Sequence, residues 1–135
     1  MLFNPGSGGQ FEQRFLHCGL VQSDRLLLEL RCTEQNQWYF DAFLATGESS
    51  LTLADKDKLH PSDNWYHAAF VIDNGNLISY INGNKELEEK MDFIPMKEGV
   101  TSFGMRQNQI SWFKGMIYNL RITDTALKQD QFIRL

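Results

Sequence analysis

The segment from Asn64 to Asn84, NWYHAAFVIDNGNLISYINGN, constrains the fold more than any other stretch of this chain. Trp65 to Ile72 is rich in aromatic and β-branched residues and reads as a strand. Asp73, Asn74, Gly75 and Asn76 then supply the backbone freedom and side-chain acceptors that a tight turn needs. Leu77 to Ile81 is the return strand, and Asn82-Gly83 closes it with a second turn, because both residue types tolerate positive φ.

Strand-sized segments recur on both sides of this hairpin. Phe11 to Cys18 is followed by Leu26 to Cys32, where Leu26, Leu28 and Leu30 share one face and Leu27, Glu29 and Arg31 the other. In Trp38 to Leu44, Phe40, Ala42 and Leu44 alternate with Tyr39, Asp41 and Phe43. Leu51 to Ala54, Val100 to Met105 and Trp112 to Ile122 complete the set. Met1 to Gln10, with Pro5, Gly6, Ser7, Gly8 and Gly9 together, reads as a flexible segment or loop, and Asp124 or Thr125 as the cap of one or two helical turns through Ile133. About eight short strands at regular spacing, with turn residues between them, predict an all-β, two-sheet antiparallel jelly-roll sandwich with a short C-terminal helical turn. The expectation is one domain over residues 1–135.

Composition narrows the partners. Thirteen basic and 17 acidic residues give a formal net charge of -4 with no basic cluster, which argues against nucleic acid. The longest apolar runs are strand-sized, so no membrane insertion is expected. The start, MLFNPGSGGQ, lacks the basic and apolar regions of a signal peptide, although a domain cut from a precursor would lack its leader. Cys18 and Cys32 read as two small unbridged thiols, since the intervening turn does not set them opposite each other.

Two segments resemble laminin-G-like, concanavalin A-like lectin domains. The first is Trp65-Tyr66-His67-Ala68-Ala69 running through Asp73 and Gly75 to Tyr80-Ile81-Asn82-Gly83. The second is Phe113-Lys114-Gly115-Met116-Ile117, followed by Leu120-Arg121-Ile122 and Ala126-Leu127. In that family an acidic residue follows the isoleucine, where this chain has Tyr118. Family domains often begin with additional strands; here those are absent or replaced in short form by Met1 to Gln10, and an absent strand would leave a sheet edge open to a partner, including a second copy of the chain. The resemblance implies an extracellular or cell-surface setting, and it implies that Trp65 fills the core and that His67 satisfies a backbone group beside it.

For function, the aromatic residues on the second face of the strands are the best guide. Sugar rings dock on aromatic faces while polar side chains take the hydroxyls. Trp38, Tyr39 and Trp112 are candidate platforms, with Asp41, Arg106, Gln107 and Asn108 as hydrogen-bonding neighbours; the alternative is that these rings pack beneath loops. Calcium is a candidate ion through Asp73, Asn74 and Asn76, with Asp55, Asp57 and Asp63 crowding a second loop, although ordinary turn chemistry accounts for both groups. No Glu-x-Asp-x-Glu strand carries a glycosidase acid pair, and no nucleophile motif is present, so the chain reads as a non-enzyme. The expectation is a carbohydrate-binding recognition domain without an obligatory cofactor, acting on a glycan; the alternative is a protein-interaction or adhesion module engaging a cell-surface protein.

Overall fold

A computed structural model, described over residues 1–134, closes the central hairpin as its sequence requires. Strand β7 (Tyr66–Asp73) pairs antiparallel with β8 (Asn76–Ile81), ending on the Asp73/Asn76 pair. Between them Asn74 and Gly75 take φ of 48° and 80°, the left-handed pair that a two-residue hairpin demands. The next turn, with Asn82 and Gly83 at 51° and 79°, leads into β9 (Asn84–Lys90). Asn82 also clamps the hairpin base, accepting from the His67 amide at 2.9 Å and donating its own N–H to the His67 carbonyl at 2.8 Å.

The remaining strands are β1 (Leu2–Pro5), β2 (Glu12–Gly19), β3 (Arg25–Cys32), β4 (Gln37–Thr46), β5 (Ser49–Ala54), β6 (His60–Pro61), β10 (Val100–Phe103) and β11 (Gly115–Asn119). They form two antiparallel sheets, one ordered β11-β1-β7-β8-β9, the other β10-β2-β3-β4-β5 with β6 beside β4. The all-β sandwich expected from strand spacing is therefore the architecture observed. The alternation in β3 sorts as expected, with Leu26, Leu28 and Leu30 facing the other sheet, and from β4 it is Phe40, Ala42 and Leu44 that join them in the core. That core centres on Phe3, Phe15, Trp38 and Tyr66, with ring centroids 5.4 Å apart for Phe3–Phe15 and Phe3–Trp38, and 5.0 Å for Trp38–Tyr66.

Three expectations are corrected. Met1 to Gln10 is not all loop: Leu2–Pro5 is an internal strand between β11 and β7, and Met1, Leu2 and Phe3 are buried. A four-residue strand followed by turn formers carries too little alternation to be recognised without its two neighbours. Trp65 does not fill the core; it is 38% exposed against Tyr118, and its neighbour Tyr66 points inward. The run of apolar residues on both parities there leaves the inward face undecided until Tyr66 pairs with Phe3 of β1. His67 does sit beside a satisfied backbone group, but through its own amide and carbonyl; its ring packs 5.5 Å from Phe132. The expected short C-terminal helical turn is present as one 3-10 turn, Gln129–Gln131, in which the Lys128 amide donates to Gln131 Oε1; it begins at Lys128 and not at Asp124 or Thr125.

One close approach sets how β10 joins the sheet. Gly19 and Gly99 have φ of 103° and 120°, and a Cβ on Gly99 would lie 2.3 Å from the Gly19 carbonyl carbon. The two backbones nearly touch there, which lets Val100 pair with Gly19.

The buried ring of His67 makes the fold acid-sensitive. Burial first, then the charges of the N-terminus and Arg121, lower its pKa from 6.5 to about 4. The unfolded chain therefore takes up this proton before the folded one does. Stability is full above pH 6.5 and falls as pH drops towards 4. Between pH 7 and 4 the wild-type urea midpoint should fall relative to that of His67→Asn, in which the other titrating groups are kept; a constant difference between the two would refute the assignment.

Candidate functional site

The outer face of the six-stranded sheet holds the densest charge in the molecule. Cross-strand register sets Arg14 opposite Glu29, Glu12 opposite Arg31, and Glu29 opposite Asp41. Because Leu28 and Leu30 point to the core, Glu29 and Arg31 must point outward. The side chains close a ring of ion pairs. Arg14 lies 2.6 Å from Glu12 and 2.8 Å from Glu29, and Arg31 lies 2.5 Å from Glu12, 3.0 Å from Glu29 and 2.7 Å from Asp41. The loop after β10 folds over this ring. Ser111 donates its hydroxyl to Glu12 at 2.8 Å and accepts from Arg14 at 3.1 Å, and Arg14 forms a β-bridge with Trp112.

This cover makes the charges unusually dry: Arg14, Glu29 and Asp41 are 3%, 1% and 5% exposed. Burial pushes the Glu29 carboxyl up to about 7, against the pull of Arg14 and Arg31. Glu12, nearer water, goes the other way. Burial opposes its ionisation, but hydrogen bonds from Ser111 and Arg31 and the Arg14 charge hold it at about 2. Two carboxylates in one network thus differ because one has the open side and the hydroxyl donor.

Beside the ring lies a cavity of about 200 Å³ lined by Arg14, Arg25, Leu27, Glu29, Arg31, Asp41, Phe43, Thr52 and Arg106. Five buried polar atoms on its walls have no hydrogen-bond partner: Arg14 Nε, Arg25 Nε, Arg106 Nε, Glu29 Oε2 and Asp41 Oδ1. Glu29 Oε2 is within ion-pair distance of Arg14 but out of hydrogen-bond alignment. A small hollow lined by guanidinium and carboxylate side chains suits a ligand that offers both acceptors and donors.

The residues singled out from sequence fall in different places. Asp41 and Arg106 come together on the cavity wall. Tyr39 is half-buried on the same face of β4 as Asp41 and Phe43. Trp112 is 56% exposed beside Arg14, its indole N–H donating to the Gln109 carbonyl at 3.0 Å. Gln107 is a clamp rather than an open contact: its amide donates to the Val100 carbonyl at 2.7 Å and the Gly19 carbonyl at 3.1 Å, holding the loop onto β2. Asn108 is exposed on that loop. Trp38 is corrected outright: it is fully buried between Phe3, His60 and Tyr66 and offers no face to a ligand, because its parity in β4 is that of Phe40.

The Asp73, Asn74 and Asn76 group is the hairpin turn itself. Asn74 donates its amide to Asp73 Oδ1 at 2.8 Å, so the turn holds one carboxylate and uses it internally. Asp55 Oδ1 likewise accepts from the Asp57 amide, and Asp63 Oδ1 from the Ser7 amide. Among the described residues no three His, Cys, Asp or Glu side chains converge. Cys18 and Cys32 are unbridged; Cys32 is buried, which pushes its thiol up to about 11.

Sequence reading passed over Glu12, Arg14, Arg25, Glu29 and Arg31. Their signal was present as charged residues two apart on two strands, Glu12-x-Arg14 and Glu29-x-Arg31. It becomes legible only when antiparallel register sets each acid opposite a base.

A protein-family model described as the concanavalin A-like lectin/glucanases superfamily, of laminin-G type, matches residues 2–132. No curated protein and no solved structure matches the chain.

Proposed function

The chain belongs to the concanavalin A-like lectin/glucanases superfamily, and from that premise we propose that it is a non-catalytic recognition domain binding carbohydrate on the outer face of its six-stranded sheet. Domains of this kind serve broadly as binding or adhesion modules. The cavity carries the finer reading. It sets guanidinium and carboxylate side chains beside Phe43 on its wall, and Tyr39 and Trp112 lie on the surrounding surface. Polar groups in fixed orientation beside apolar ring surface are what a sugar's hydroxyls and C–H face require. A recognition role, not hydrolysis, fits the carboxylates. Glu29 and Asp41 are both tied to Arg31, whereas a retaining glycosidase needs one free nucleophile facing a protonated acid. The proposed setting is extracellular or at the cell surface. No helix among the described residues is long and apolar enough to cross a membrane.

The test is a glycan array with the purified domain. Binding to a defined glycan class is expected, and Trp112→Ala and Tyr39→Ala should each weaken it by about tenfold, a cost of roughly 1.4 kcal/mol, while leaving the melting temperature within a degree or two. Silence on every glycan would sink the reading.

One observation favours the second reading, a protein-interaction module. Past Ala68, which exchanges hydrogen bonds with Met1, the far edge of β7 has no strand beside it. On the same sheet the edge strand β11 exposes Met116 and Tyr118, with the half-exposed Trp65 ring 6.2 Å from that of Tyr118. An open edge and an apolar strip suit strand addition by a partner chain or a second copy. Sedimentation showing a dimer that a proline at Ile72, whose N–H faces the open edge and not β8, abolishes would favour it.

A further inference from the structure

We infer that the cavity beside Asp41 selects sugars that carry a carboxylate, through the paired guanidiniums of Arg25 and Arg106; the inference rests on the carbohydrate reading above and names its ligand class. The geometry of charge leads to it. Arg14 and Arg31 are matched by Glu12, Glu29 and Asp41, but Arg25 and Arg106 have no carboxylate partner among the described residues. They come from opposite ends of the fold's sequence, the first residue of β3 and the loop after β10, yet line one cavity.

Each is held by the backbone on one side. Arg25 Nη1 donates to the Ser23 carbonyl at 2.8 Å and Arg106 Nη2 to the Val21 carbonyl at 3.5 Å, while both Nε atoms are buried without a partner. Arg25 also stacks on Phe43, 4.7 Å from its ring centroid. Burial, then the neighbouring Arg106 and Arg14 charges, pull Arg25 below the usual guanidinium range, the mark of a positive site lacking its counter-charge. Guanidinium forks held in place are the preferred partner of a carboxylate.

A bare oxyanion would meet only half the site. The Glu29 and Asp41 carboxylates on the same wall, already tied to Arg14 and Arg31, add polar surface that sugar hydroxyls suit better than inorganic sulfate does. Leu27 and Phe43 add apolar wall for a ring face. The volume, about 200 Å³, is several times the roughly 30 Å³ that a water occupies, and fits one ring better than a chain of them.

The wild-type protein reports this directly. Its arginine Nε–H resonances are followed by nitrogen-15 NMR during titration with glucuronate, glucose or sulfate. Glucuronate should shift Arg25 and Arg106 saturably, and glucose at equal concentration should leave them in place. Arg106→Gln, or Arg25→Gln if the first disturbs the amide spectrum, should weaken glucuronate binding by about tenfold or more. Equal shifts with glucose, equal shifts with sulfate, or none with glucuronate would each overturn the inference. Neutral glycans captured on the array alongside any of those outcomes would leave the carbohydrate reading standing and the acidic preference refuted; a silent array with no glucuronate shift would remove both.

Discussion

Arg14→Met should lower folding stability by about 3–5 kcal/mol, although the substitution keeps volume and lies on the outer face of a sheet. The usual expectation for a charged residue on such a face is under about 1 kcal/mol. Arg14 departs from it because the Arg106–Trp112 loop has taken its partners out of water. Glu29 is 1% exposed and would lose its 2.8 Å partner, with Arg31 left to serve Glu12, Glu29 and Asp41 at once. Ser111 would lose a donor as well, loosening the loop that carries Trp112. The penalty belongs to the stranded carboxylate more than to the pair, so Arg14→Met with Glu29→Leu should recover a good part of it. Urea denaturation of the two single variants and the double variant forms the cycle. A single-variant loss within about 1 kcal/mol of zero would mean that water reaches Glu29 and that the network is not dry.

Trp38→Ala should cost a similar amount, about 3–5 kcal/mol, by a different mechanism. Trp38 is fully buried and bridges the sheets through Phe3, Tyr66 and His60, so its removal opens a cavity at the centre of the core. Its indole N–H, however, is buried with no acceptor. Trp38→Phe removes that unpaired donor along with part of the ring, and the two effects oppose each other. The phenylalanine variant should therefore lose under about 1.5 kcal/mol. Trp65→Ala and Trp112→Ala, at 38% and 56% exposure, should each stay within about 1 kcal/mol of wild type. Denaturation midpoints for the four variants, at unchanged urea dependence, decide the matter. If Trp112→Ala proved as costly as Trp38→Ala, that ring would be packing rather than a recognition surface.

The candidate site was only partly readable in advance, and the residues say why. Asp41 and Arg106 were identifiable as polar neighbours of aromatic residues, but nothing in a one-dimensional reading joins a β4 aspartate to a loop arginine 65 positions later. Gln107 looked like a ligand contact because an exposed glutamine and a loop clamp have the same sequence appearance; only the Val100 and Gly19 carbonyls beside it distinguish them. Trp38 and Trp65 illustrate the same limit for parity. In a run that is apolar on both faces, alternation establishes that a strand exists without saying which side is inward.

What the chain's own order of residues determined is local. Period-two alternation made β3 and β4 strands with Leu26, Leu28 and Leu30 inward, and Asn74-Gly75 and Asn82-Gly83 made the turns, since short-range sterics and side-chain alternation suffice for both. Only the tertiary structure decided that Leu2–Pro5 is an internal strand, that Tyr66 and not Trp65 enters the core, and that seven charged residues from β2, β3, β4 and a distant loop share one face. Those outcomes depend on register between strands and on exclusion of water by a covering loop, and both are properties of segments brought together from afar.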